Sequence, residues 1–218
     1  FYTTEVNIGG AGNVSLGTQQ LRSVSSAYFA KTAASISADA NDNVVIGSTS
    51  SMVSMTSGIA IGSNAVTNNT TGIALTAVGI SALRANTTGH NNTALGNFTL
   101  SSNTSGYVNV GLWYSALLYT TTGFANTAIG VSALASNTTG NFNTGIGYGT
   151  LFNADNSSYN TAIGNYAGQN NFIGGTVVTG NYNTYIGSGT QNKLTTSNST
   201  AIGYGASISA SNTIQLGN

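Results

Sequence analysis

The sequence predicts an all-β protein, a parallel β-solenoid wound from 17-residue coils. Three observations carry that expectation. One phrase, Asn-Thr-small-Ile-Gly, returns at a fixed interval. The phrase is built of β-compatible residues, with a Gly in every turn-length stretch that would weaken any helix. And only 4% of the 218 residues are charged, while Pro and Cys are absent, so polar side chains must pair with one another rather than with ions.

Aligned on its Gly, the phrase returns at Gly62, Gly79, Gly96, Gly130, Gly147 and Gly164, with Trp113 filling the remaining place at the same step of 17. The Asn that opens it recurs as Asn92, Asn109, Asn126, Asn143 and Asn160. A branched apolar residue precedes the Gly (Ile61, Val78, Leu95, Leu112, Ile129, Ile146, Ile163), and four residues after it come Val66, Leu83, Leu100, Leu117, Leu134 and Leu151.

Taken along the chain, residues 1–42 show only hints of the phrase (EVNIG, NVSLG) and are expected to form a cap or connector with irregular first coils. Within them QQLRSVSSAYFAKTAAS has a weak helical period. Residues 43–168 form the regular roll. Residues 169–182 are a loop insertion, because the step from Gly164 to Gly187 is 23 residues, six more than the repeat. Residues 183–218 return to coils through NTYIG, STAIG and TIQLG.

Each unit reads as two short strands and two bends, with Asn-Thr-Thr-Gly forming a turn that uses positive φ. Stacked coils lie about 4.8 Å apart, so Asn92, Asn109, Asn126, Asn143 and Asn160 are placed to form an amide ladder; alternatively each Asn caps its own bend. Side chains alternate across the strand, and the column Ala60, Ala77, Ala94, Gly111, Ala128, Gly145, Ala162 is small throughout. That column is expected to face outward with the branched column inside. A bare alanine flank would then be sheathed by another copy of the chain, which predicts a homo-oligomer.

Composition limits the chemistry. Four basic and four acidic residues leave no basic patch for nucleic acid, and no apolar run reaches membrane-spanning length. The chain opens on Phe1 rather than Met, which predicts an excised piece. His90 is the sole histidine, in a bend column that varies freely, so it is expected at the surface rather than as a base. Asp39 and Asp42 in DANDN are too few for a calcium loop, and no metal or cofactor is expected. GIGYG (145–149) lacks the helix and Lys of a phosphate loop. Scattered acids make a facing carboxyl pair for glycoside hydrolysis improbable, so an enzyme is not expected.

Trp113 breaks the Gly column, and Tyr107 and Tyr114 lie close to it in sequence. A ring there is not required by the repeat, so these three are the candidate glycan-binding residues, aromatic stacking beside amides being a common way to hold sugars. Alternatively Trp113 packs against a neighbouring chain. The bend sequons at Asn69, Asn86, Asn103 and Asn137 leave surface glycosylation open. Thr70, Thr87, Thr104, Thr121 and Thr138 align, but a flat ice-binding face wants two hydroxyls on one side of a single strand.

The phrases NTAIG, NTALG and STAIG resemble the head repeats of trimeric autotransporter adhesins of the YadA type. The NTTG-linked units carrying Ser81-Ala82-Leu83, Ser115-Ala116-Leu117 and Ser132-Ala133-Leu134 are similar to repeat arrays of bacterial and phage fibre proteins, and ASNTIQLGN (210–218) resembles a last head coil leading into a stem. The resemblance covers about residues 43–218. It implies a left-handed β-roll, three chains around one axis, and display outside the cell, at its surface or on a virion. The unit of those heads is shorter than the unit here, so the extra residues enlarge the NTTG bend. The expected function is a non-enzymatic structural and adhesive segment of an extracellular or tail fibre that recognises a host cell or glycan. The alternative is a solenoid binding carbohydrate or ice on its own.

Overall fold

The computed structural model describes strands at 5–7, 13–15 and 37–38, together with residues 43–46, 57–169, 180–192 and 195–217. The helix expectation for 19–35, the DANDN acids and most of the 169–182 insertion lie outside the described residues. No helix occurs among those described.

Strands β1 (Glu5–Asn7) and β2 (Asn13–Ser15) pair antiparallel. Strand β3 (Ser37–Ala38) lies antiparallel on β4 (Val44–Ile46), and from β4 onward every rung of the main sheet is parallel. The rungs are β5 (Ile59–Ile61), β6 (Thr76–Val78), β7 (Thr93–Leu95), β8 (Val110–Leu112), β9 (Thr127–Ile129), β10 (Thr144–Ile146), β11 (Thr161–Ile163) and β12 (Thr184–Ile186), then β14 (Thr200–Ile202) and β16 (Ile214–Leu216). Like residues stack on like: Thr144 on Thr161, Gly145 on Ala162, Ile146 on Ile163. This is a parallel β-solenoid of 17-residue coils.

Each coil has one three-residue strand, not the two expected. Where the second strand was anticipated, Leu83, Leu100, Leu117 and Leu134 take φ of 51–53°, the left-handed region. That conformation turns the chain sharply and drives the Leu side chain into the coil, where all four are fully buried. Hydrogen bonds between coils persist through the turn, as from the Leu83 N–H to the Thr99 carbonyl and from the Leu117 N–H to the Ala133 carbonyl. A second strand does form where the coils shorten, β13 (Gln191–Asn192) pairing parallel with β15 (Ser207–Ile208).

The two faces of the strand are reversed from expectation. Ala60, Ala77, Ala94, Ala128, Ala162 and Ala201 are fully buried inside the coil, and the branched column looks out. The interior is narrow and the inward Leu column already occupies it, leaving methyl-sized space opposite. At Gly111 even a Cβ would come within 2.5 Å of the Thr99 methyl.

One exchange of volumes marks the insertion. Gly168 stands where earlier coils have Leu, and Tyr185 stands where they have Ala. The buried Tyr185 ring takes up the vacated space, lying 2.9 Å from where a Gly168 Cβ would be. Burial pushes the Tyr185 phenol far above its ordinary pKa, with Asn192 beside the hydroxyl offsetting part of the rise.

Two series of asparagines tie the coils. In the strand-leading series, the side-chain oxygens of Asn92, Asn109, Asn126, Asn143 and Asn160 accept the backbone N–H of the next Asn at 2.9–3.0 Å. Their amides donate across coils, as from Asn126 to the Gly140 carbonyl at 2.8 Å. In the bend series Asn69, Asn86, Asn103 and Asn137 donate to the Gly carbonyl three residues on, capping their own bends. Asn86 and Asn103 also donate to the Asn one coil back. All four bend residues are buried, which closes these sequon amides to glycan attachment in the folded coil.

Candidate functional site

The outer sheet face carries two columns. One is Thr76, Thr93, Val110, Thr127, Thr144, Thr161, Thr184 and Thr200; the other is the branched column, extended by Ile186 and Ile202. The branched side chains are half-buried to exposed, Leu95 reaching 48%. Nothing in the strand repeat places a charge on this face.

Trp113 is held on that face by local give in the backbone. At the regular glycines of this column a Cβ would come within 2.4–2.7 Å of backbone in the next coil, so a side chain does not fit at their φ of 129–142°. Trp113 instead adopts φ 87°. The following rung stretches to accommodate it: the Gly130 N–H reaches the Leu112 carbonyl at 3.1 Å, against 2.7 Å for the Trp113 N–H to the Leu95 carbonyl. The Thr99 hydroxyl donates to the Trp113 carbonyl at 2.6 Å. The ring is 64% exposed and, with Tyr114, Val78, Leu95 and Leu112, borders an apolar depression of about 480 Å³. Phe98 meets Tyr114 edge-on, ring centres 5.9 Å apart.

Tyr107 is not part of this depression. It sits in the bend that precedes the strand, stacked between His90 at 5.0 Å and Phe124 at 4.7 Å. The stack continues through Phe142, Tyr159 and Tyr182 after an edge-on step from Phe124 to Phe142. Both faces of the Tyr107 ring are covered by His90 and Phe124, so its edge rather than its face meets solvent. His90 serves as the end member of the stack. The three candidate residues thus divide, Trp113 and Tyr114 on one side of β8 and Tyr107 on the other.

A second aromatic pair lies towards the C-terminal coils. Tyr148 and Tyr166 meet edge-on at 5.1 Å, and their hydrogen bond holds the Tyr166 phenol above its ordinary pKa. Tyr166, Ser188, Gly189, Gln169, Gln191 and Tyr204 line a cleft of about 370 Å³. Sequence reasoning missed it. The signal present was Gly189 and Gly205 in a column that carries a side chain in every earlier coil but that of Gly149.

Among the described residues no group of three or more His, Cys, Asp or Glu is gathered to hold a metal ion, and no helix is long and apolar enough to cross a membrane. Comparison with protein-family models, with curated proteins and with solved structures finds no match to this chain.

Proposed function

We propose that this chain is a structural and adhesive segment of an extracellular or virion fibre, assembled as three copies that cover each other's branched apolar columns. The observation that carries the reading is the uncharged outer face of the sheet, where Leu95, Ile146, Ile163, Ile186 and Ile202 are exposed. Eleven parallel rungs at about 4.8 Å, with their flanking bends, make a strip roughly 50 Å by 15 Å. That is on the order of the 800 Å² a partner contributes to a stable interface. The number three comes from the resemblance to trimeric adhesin heads. The Trp113 depression is continuous with the branched column through Leu95 and Leu112, which favours Trp113 as a wedge at the rim of the assembly over a free glycan platform.

Sedimentation of the intact chain tests this: a trimer is expected, with Ile146→Asp plus Ile163→Asp giving folded monomers. A wild-type chain that stays monomeric at all concentrations removes the reading. It would favour the solenoid acting alone as a carbohydrate- or ice-binding module. Trp113→Gly is expected to keep the fold and weaken assembly.

A further inference from the structure

We propose that the cleft between Tyr166 and Tyr204 binds a single neutral hexopyranose unit of a glycan. The inference takes up the recognition side of the proposed function, but its geometry and its test do not depend on assembly.

The backbone of this column does not demand glycine. Two residues past the repeat Gly, Asn64, Ser81, Phe98, Ser115, Ser132 and Tyr166 all hold φ of 54–60° with a side chain in place, and Gly189 has φ 65° in the same position. At Gly149 a reason for glycine is visible, because the Tyr166 ring lies 2.7 Å from where its Cβ would be. At Gly189 there is none: no atom lies within 4 Å of that point. The missing side chain therefore leaves open space that neither the turn nor a neighbour requires.

That space has two aromatic walls. Tyr166 is fixed from behind by the edge-on contact with Tyr148. Tyr204, 80% exposed, stands two coils further on, roughly 10 Å along the axis at the spacing of stacked strands. Rungs that far apart leave room for a sugar ring between the side chains they carry. Gln169 and Ser188 contribute an amide and a hydroxyl to its lining, groups able both to donate to and accept from sugar hydroxyls.

Charge and size narrow the ligand. Among the described residues that line the cleft there is no Asp, Glu, Lys or Arg, and this uncharged lining matches a neutral ring better than an ionised one. A volume of about 370 Å³ lies at the small end of ligand pockets, room for one ring rather than several. A second cleft, lined by Gly205, Ser207 and Gln215, opens on the other side of Tyr204, so the neighbouring unit of a chain has somewhere to lie.

Saturation-transfer NMR on the intact chain, probed with methyl glycosides of glucose, galactose, mannose and glucuronic acid, tests the proposal. At least one neutral glycoside is expected to bind through ring C–H protons, with glucuronide weaker. Tyr204→Ala is expected to weaken binding about three- to tenfold, the loss of one aromatic contact. Gly189→Phe, a residue the column already accepts as Phe98, should fill the slot and abolish binding, while Tyr119→Ala, at an exposed ring outside the cleft, binds as wild type. Unchanged thermal melting of both cleft variants keeps the comparison clean. Silence from every neutral glycoside, preference for the glucuronide, or binding that survives Gly189→Phe would each overturn it.

Discussion

Val108 sits in the left-handed region at φ 55° on an exposed bend, where a β-branched residue is a true outlier. Its column is otherwise occupied by Ser57, Ala74, Asn91, Ala125, Phe142, Tyr159, Tyr182, Asn198 and Asn212 at φ of 52–60°. The stacking of coils above and below imposes that conformation whatever residue occupies it. Asn tolerates the region through its short polar side chain, and in this column Asn198 donates to Asn212 across one coil at 2.8 Å. Val108→Asn is therefore expected to stabilise the fold by about 1 kcal/mol, read from chemical denaturation. A loss of stability would mean that the Val methyl groups contribute more than the strain costs.

At the scale of the coil, hydrogen bonds rather than ions join one element to the next, and the bend ladder shows what a gap does. Asn69, Asn86 and Asn103 are linked amide to amide, but the next place belongs to Thr120. Its hydroxyl donates to the Asn137 carbonyl, and the buried side-chain oxygen of Asn103 is left without a donor. Thr120→Asn restores the repeat, supplying a donor to Asn103 and an acceptor to the Asn137 amide. A gain of roughly 1–2 kcal/mol in unfolding free energy is expected, and no gain would show that the ladder is incidental to the caps. The strand of each coil was legible from the 17-residue period, because like residues fall into register when the spacing is constant. The single-stranded character of the coil was not. Ser-Ala-Leu reads as β-compatible, and only the inter-coil bonds reveal that Leu is held at positive φ, a conformation no propensity would assign to it.

For the molecule as a whole, alternation along the strand established that Ala and Ile point opposite ways but not which of them points in. That choice depends on the volume left by the Leu column across the coil, a three-dimensional quantity. Once it is known, the argument for a covering partner rests on Ile and Leu side chains in place of Ala. Trp113 was legible as a candidate because it interrupts a column of glycines. The Tyr166–Tyr204 cleft was not, since its walls come from coils of unequal length, 23 and 16 residues on either side of Gly187, and no motif joins them.

The left-handed residues in every coil have a mechanical consequence. Each regular coil holds positive φ at its repeat Gly, at the residue two further on, at the Leu, and in the bend before the strand, as at Gly79, Ser81, Leu83 and Asn91, conformations that only the neighbouring coil keeps populated. A chain pulled by its two ends should therefore peel from an exposed coil inward, since a coil without its neighbour has nothing to hold its turns. Seventeen residues span roughly 60 Å when extended, less about 5 Å of rise already present. Optical tweezers on a single chain are expected to record a staircase of lengthening, roughly 55 Å a step, with one longer step where the 23-residue turn lets go. One abrupt release of the whole rod would mean that tension is shared along its length rather than borne turn by turn.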